Sequence, residues 1–409
     1  MRKRIGGFVK KIQFYGKSGI FFLLVFLTPC VFGDSSVFQS VLQSYIQRFS
    51  GSELTAKAEV LRNAAADGRL SESVFQLYDF ALRYALDNYK DMENLSGMNN
   101  IIGIAVKGLR NAGFSAGVDI LWELFFEYPV YVMKADILVT LGILGKGNRE
   151  IINAVNNYLM ELNAMSASED AIIVDYSLVS ACITAIMEMG DRSSYPVLFN
   201  LLSAGYPEII VSEAYGALDF INGDLFLYIR NIMEKNPPEE KFVAFKAGVN
   251  SNRLSLSERG QLAELALEIG LLDFEGNADL TAMRYAAIQV LVSLKWTRAS
   301  ALAVRHYHRM LADYFNGSAS RANLIESISC LGEIGDSSAA LALGLQLGLI
   351  NEKTKSTGVF DADITVAVVR ALGLIGSNAV FEHLLYTTNL SYSDNIKIAA
   401  REALDRLKW

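Results

Sequence analysis

The sequence predicts an all-α solenoid: a right-handed α-α superhelix of about eight or nine stacked helical hairpins, with no sheet. Three observations carry this expectation. A short motif, a helix-periodic apolar run closed by glycine, returns about every 40 residues along the 409-residue chain. Only six prolines occur, at 29, 129, 196, 207, 237 and 238, and proline is the residue a helix interior tolerates least. The composition is 52% hydrophobic and 20% charged, which supplies a large core and excludes a globally disordered chain.

Residues 1–33 differ from the rest. Arg2, Lys3, Arg4, Lys10, Lys11 and Lys17 precede an almost uninterrupted apolar run at 19–27, which Thr28-Pro29 breaks. That is the form of a signal peptide, with cleavage expected after Gly33. Leu27-Thr28-Pro29-Cys30 resembles a bacterial lipoprotein box, which would make Cys30 a lipid attachment site, although Pro29 departs from that pattern. The apolar run is shorter than the ~20 residues that span a bilayer. An exported protein of the bacterial periplasm or envelope is expected, touching membrane only through lipidation or weak association.

Loss of residues 1–33 removes six basic residues and no acidic one, leaving 31 basic against 44 acidic and a net charge near −13. An acidic surface repels phosphate backbones, and no basic stripe interleaved with aromatics occurs, so nucleic acid is excluded as a partner. Only Cys182 and Cys330 then remain, too few for a disulfide scaffold of this length.

From residue 34 to 409 the chain reads as one array. Weak turn signals stand at Asp67-Gly68 and Ala112-Gly113. Clearer ones come at Leu138-Val139-Thr140-Leu141-Gly142-Ile143-Leu144-Gly145 and Ile186-Met187-Glu188-Met189-Gly190-Asp191. Asn222-Gly223-Asp224 and Ile269-Gly270 are weaker again, and Lys295-Trp296 takes the same place without a glycine. Cys330-Leu331-Gly332-Glu333-Ile334-Gly335-Asp336 and Ala371-Leu372-Gly373-Leu374-Ile375-Gly376-Ser377 are the strongest. Asn236-Pro237-Pro238-Glu239-Glu240 marks a possible bend between two half-arrays.

One unit shows the physics. Ile364, Val368, Ala371, Leu372 and Ile375 form one apolar face of a helix that Asp361 or Asp363 caps and Gly376 ends. Val380, Phe381, Leu384 and Leu385 form the stripe of a second, antiparallel helix. Neither helix hides its apolar face alone, and stacking buries both. At 394–407, Ile396, Ala399, Ala400, Ala403, Leu404 and Leu407 make a single stripe with charge on the other side, as a terminal capping helix requires.

The pattern at 371–379, its echo at 331–339 and the looser one at 186–195 resemble HEAT repeats, of the short variety also found in phycobiliprotein lyases. The resemblance is clearest over 330–409 and fair over 138–225. It implies an armadillo-type fold and, as a functional expectation, protein-binding scaffolding. The helix-A proline and the Asp/Arg ladder of longer HEAT repeats are not evident.

Chemical motifs yield to structural readings. Gly335-Asp336-Ser337 mimics a serine-hydrolase signature, but the repeat turn explains it, since Gly190-Asp191 and Gly223-Asp224 hold the same place. Asp361-Ala362-Asp363-Ile364-Thr365 mimics a phosphatase nucleophile motif, yet only 44 residues come after it, and helix capping accounts for it. Asp273, Glu275, Asn277 and Asp279 alternate like calcium ligands, but Ala278 and Arg284 occupy the positions where an EF-hand needs Gly and Glu. His306 and His308 are two apart on a helix and point away from each other. No catalytic residue, metal site or cofactor is expected.

What remains is apolar excess. Trp122, Phe125, Phe126, Tyr128, Tyr131 and Val132 surround Pro129, and Tyr206, Ile209, Ile210, Tyr215, Phe220, Phe226 and Tyr228 lie downstream. Trp122, Phe125, Phe126, Tyr128 and Tyr131 form the candidate binding patch. The expectation is a monomeric, non-enzymatic exported scaffold that binds another protein on its concave face. Its rivals are a periplasmic α/α-toroid enzyme acting on polysaccharide through paired carboxylates, and a lipid-associated binding module.

Overall fold

A computed structural model describes residues 35–70, 73–92, 94–168, 174–273 and 276–408. The signal peptide expected at 1–33, with the expected lipid site Cys30 and the expected cleavage after Gly33, lies outside the described residues.

The described residues hold twenty α-helices in ten consecutive pairs, and no strand. The first five pairs are α1 (Ser35–Gly51) with α2 (Leu54–Ala66), α3 (Val74–Asn88) with α4 (Ser96–Ala112), α5 (Val118–Glu127) with α6 (Tyr131–Leu144), α7 (Arg149–Ser166) with α8 (Tyr176–Met189), and α9 (Tyr195–Leu201) with α10 (Glu208–Leu218). The next five are α11 (Leu225–Lys235) with α12 (Pro238–Asn250), α13 (Leu256–Leu272) with α14 (Ala278–Ser293), α15 (Ser300–Phe315) with α16 (Arg321–Ile334), α17 (Ser337–Thr357) with α18 (Ala362–Ile375), and α19 (Phe381–Asn389) with α20 (Asp394–Asp405).

Each odd helix packs on the even helix next in sequence, and helices two apart pack side by side along most of the chain. Two layers result, one of odd and one of even helices, with a continuous apolar core between them. This is the neighbour-to-neighbour pattern of a helical-repeat solenoid.

The recurring turns lie between hairpins, not at their tips. Helix α18 packs on α16, α17 and α20, whereas α19, across the Gly376 turn, packs mainly on α20 and α17. Nine such turns therefore join ten hairpins, and the expected count of eight or nine is corrected upward. Val380 and Leu384 are buried as expected, but Leu385 faces outward.

The turn chemistry is as the sequence reads. Gly190 and Gly376 adopt φ of 61° and 68°, the left-handed conformation that stops a helix at least cost in glycine. The residue after the glycine then caps the helical segment that begins there. Asp191 accepts from the Ser193 amide, Asp224 from Leu227, Asp336 from Ser338 and Ala339, and Ser377 from Ala379. Asp361 caps α18 through the amides of Asp363 and Ile364, and Asn277 caps α14.

One turn assignment is corrected and one is kept. Gly270 lies inside α13, where an added Cβ would sit 2.7 Å from the Cβ of Arg284, so this glycine admits α14 at close range. The turn itself is the polar segment 251–255, which has no glycine. At 295 the lysine takes the left-handed conformation with φ 49°, the one non-glycine residue to do so among those described.

In the even layer the first glycine of the motif has its own task. Gly142 of α6 faces Ala185 of α8, Gly332 of α16 faces Ala371 of α18, and Gly373 of α18 faces Ala403 of α20. An added Cβ would lie 2.4, 3.0 and 2.9 Å from the facing Cα. Backbones this close make the even layer the more tightly spaced, inner one in these stretches.

Helix α20 buries Ile396, Ala399, Ala400 and Ala403 and turns Arg401, Glu402 and Asp405 outward, as a cap must. The Lys408 amide donates to the Gly376 carbonyl at 2.9 Å. At the other end the Lys57 ammonium is buried among the Phe49 and Tyr84 rings and donates to the Phe49 and Ser50 carbonyls, capping α1 with a cation where its dipole is negative.

The array is least tightly packed at its middle. The hairpins α9–α10 and α11–α12 approach each other less closely than any other neighbours. Aromatic rings fill the space: Tyr195 stacks on Tyr228 at 4.7 Å, and Phe199 lies against Tyr228 at 5.5 Å. Side-chain bonds bridge it, with Asp219 accepting from Ser251 and the Asn252 amide, and Arg253 donating to the carbonyls of Ile221 and Gly223. The bend expected at 236–240 is instead the tip of hairpin α11–α12, where Pro238 opens a helix whose first amides need no partner.

Candidate functional site

The aromatic patch divides between core and surface. Phe125 and Tyr128 are fully buried and belong to the core, so they are withdrawn as surface residues. Tyr128 donates to Asn99 Oδ1 at 2.6 Å, and burial pushes its phenol up to about 12. Trp122 is half-buried, stacked on Phe125 at 5.3 Å and edge-on to Phe126 at 4.9 Å. Phe126, Tyr131 and Val132 are more than half exposed. Of the second group Ile209 and Phe220 are exposed, while Tyr206 and Ile210 are core.

Consecutive helices run antiparallel, so even helices run parallel and their first turns lie along one edge. Tyr131 and Val132 open α6, Tyr176 opens α8 and Ile209 lies in the first turn of α10, all exposed. Together they form an apolar rim.

Two broad hollows lie among the described residues. One, of ≈ 820 Å³, lies at the wide central joint and is lined by Arg149, Arg192, Asp191, Asp224, Tyr195 and Tyr228 among others. Hydrogen bonds from Ser193, and then the Arg149 and Arg192 charges, hold the Asp191 carboxyl below its ordinary range. These acids cap helices, so the hollow is a by-product of repeat turns meeting at a broad spacing.

The other hollow, of ≈ 720 Å³, runs across three successive inner helices. Ser329 and Glu333 of α16, Arg370 and Leu374 of α18, and Ile398 and Glu402 of α20 line it. Its floor is flat because the Gly332–Ala371 and Gly373–Ala403 contacts bring the three backbones together. Leu374 and Ile398 are about half exposed on that floor. Glu333, Asp363 and Glu402 outnumber Arg370 on its rims. Sequence reading marks Gly332 and Gly373 as motif glycines but misses this groove, because Leu374 and Ile398 look like ordinary stripe residues until α18 and α20 are seen side by side.

The chemical candidates are occupied structurally. Asp336 and Asp361 are caps. His306 is buried and His308 points elsewhere on the same helix. Cys182 and Cys330 are free and buried, and burial raises both thiols, Cys330 to about 12. Among the described residues no group of three His, Cys, Asp or Glu side chains is placed to hold a metal ion. No helix among them is long and apolar enough to cross a membrane. No protein-family model and no curated protein matches the chain.

Proposed function

We propose that this chain is a non-enzymatic helical-repeat scaffold of HEAT type that holds a partner protein along its inner, even-helix face. The groove across α16, α18 and α20 carries the reading. It has an apolar floor, polar walls and the width of three packed helices, which suits an amphipathic helix laid into it. The acidic rims favour a partner whose polar face is basic. The leader-like residues 1–33 support a partner in the bacterial envelope.

The test compares the chain with a Leu374→Glu, Ile398→Glu variant as baits in envelope extracts. Both positions are exposed, so the variant should keep its helical spectrum. A set of proteins captured by the unaltered chain and lost with the variant is the expected outcome. Equal capture by both sinks the groove. Release of reducing sugars from envelope polysaccharide, abolished by Glu333→Gln or Glu402→Gln, would instead establish the toroid-enzyme rival.

A further inference from the structure

The ≈ 820 Å³ hollow at the central joint owes its shape to the repeat turns, but its lining exceeds what turns need. Its two acids are committed, since Asp191 accepts from the Ser193 amide and Asp224 from the Leu227 amide through one oxygen each. Its donors are not. The side chains of Arg149, Arg192, Asn153 and Asn231 all line the hollow, and among the described residues they hold no ion pair and no hydrogen bond. Hydrogen bonds from Ser193, then the two guanidinium charges, draw the Asp191 carboxyl down, so both cations stand near it, yet neither closes on it.

The fold holds these groups around one space. Arg149 is the first residue of α7, which has 18 residues, and Asp224 caps α11, which has 11. Two helix N-termini therefore open on the hollow and add their positive ends to the arginines. Between them the backbone at Gly223, with φ 123°, passes close to the stem of Arg192. An added Cβ would lie 3.5 Å from the Arg192 Cβ and 3.6 Å from Tyr195 Cε2, so any side chain at 223 would crowd the lining.

The unused groups define what fits. Guanidinium forks match the paired oxygens of a carboxylate or phosphate. The Asn153 and Asn231 amides both donate and accept, as hydroxyl groups require, and the second oxygens of Asp191 and Asp224 accept from hydroxyls. A flat base finds no ring to lie on, because Tyr195 is buried and stacked on Tyr228, which Phe199 also meets. The volume lies within the roughly 300–1,000 Å³ of small-molecule sites and far exceeds a bare anion.

We propose that this hollow binds a sugar acid, a polyhydroxyl ring bearing one carboxylate or phosphate. Its acid group sits between Arg149 and Arg192, and its hydroxyls meet Asn153, Asn231 and Asp224. The site lies apart from the groove across α16, α18 and α20 and stands whether or not that groove holds a protein. A ligand here touches α7 and α11, on either side of the loosest junction, and so clasps the two halves of the array.

Isothermal titration calorimetry of the full chain with glucuronate, glucose 6-phosphate and glucose, at fixed ionic strength, tests this. The expected result is one site per chain for at least one of the acids, with glucose roughly tenfold or more weaker. Binding of glucuronate alone identifies a carboxylate ligand, of glucose 6-phosphate alone a phosphate, and of both a site that accepts either group. An Arg149→Gln, Arg192→Gln variant should keep its helical spectrum, since both side chains are exposed, and bind the acid roughly tenfold or more weakly. Four outcomes would overturn the site: no binding of either acid up to about 10 mM; glucose binding as tightly as the acids; undiminished binding by the double variant; or acetate or inorganic phosphate binding as tightly as the matching sugar acid, which would mean an adventitious ion only.

Discussion

Lys295 shows how a repeat survives the loss of its defining residue. A non-glycine residue in the left-handed region costs roughly 1 kcal/mol, because its Cβ crowds the next carbonyl. Lys295→Gly should therefore raise stability by about that much, read as a higher urea midpoint at unchanged slope. Arg284 is a larger anomaly: it is buried, and its Nε and Nη1 lack hydrogen-bond partners. Desolvation, then the neighbouring Arg309 charge, lowers its pKa. Replacing a poorly paired buried charge with an apolar residue of similar length stabilises by roughly 1–4 kcal/mol, so Arg284→Met should melt higher in calorimetry. His306 lies beside both arginines and edge-on to Tyr285, and burial pushes its imidazole down to about 3 from 6.5. Between those values the unfolded chain binds a proton that the folded chain refuses. Stability from this group is complete above about pH 6.5 and falls as pH drops toward 3, by up to about 1.4 kcal/mol per pH unit. His306→Leu should flatten that part of the stability curve. Little of this is legible in the sequence. The pair Phe125 and Phe126 is an exception: Asp119, Glu123 and Glu127 mark a polar face of the stretch 118–127, and at about 100° per residue Phe126 falls beside Asp119 on that face while Phe125 points away from it.

Helices reveal a division of labour within the motif. Its second glycine ends a helix, which turn chemistry makes readable from sequence. Its first glycine sets the distance to the next even helix, and nothing local in sequence announces that. Gly142→Ala should push α6 from Ala185 of α8 and cost about 1–3 kcal/mol by overpacking. Gly103→Ala, at an interior position of α4 where an added Cβ meets nothing within 4 Å, should do the opposite and gain up to about 1 kcal/mol from helix propensity. Parallel denaturation of the two variants separates close approach from generic flexibility. The hairpin frame escapes sequence reading for a related reason. An amphipathic stripe says that a helix is covered, without saying which neighbour covers it. Thus α18, apolar on several sides, reads as the partner of α19 when its cover comes mainly from α16, α17 and α20.

Across the whole chain, the all-helical stacked architecture is legible because each unit repeats the same local message, and nine copies outvote the ambiguity of one. The position of the loosest junction is not, because it depends on how ring volumes from α9 and α11 fill a gap between distant segments. In a linear array, cooperative unfolding passes through every interface, and the weakest one limits it. Tyr228→Ala removes the ring that both Tyr195 and Phe199 contact, and should split a single thermal transition into two. Hydrogen exchange should then show residues before and after about 222 protecting independently.

That ring-filled junction also bears on how long a ligand can be. A short helix resting on α16, α18 and α20 never senses it. A ligand long enough to grip both halves would have to freeze their mutual swing, losing binding entropy in proportion to how freely they move. Stiffening the junction should therefore tighten the grip on extended ligands while leaving compact ones indifferent, so molecular reach becomes a trait set by a handful of tyrosines.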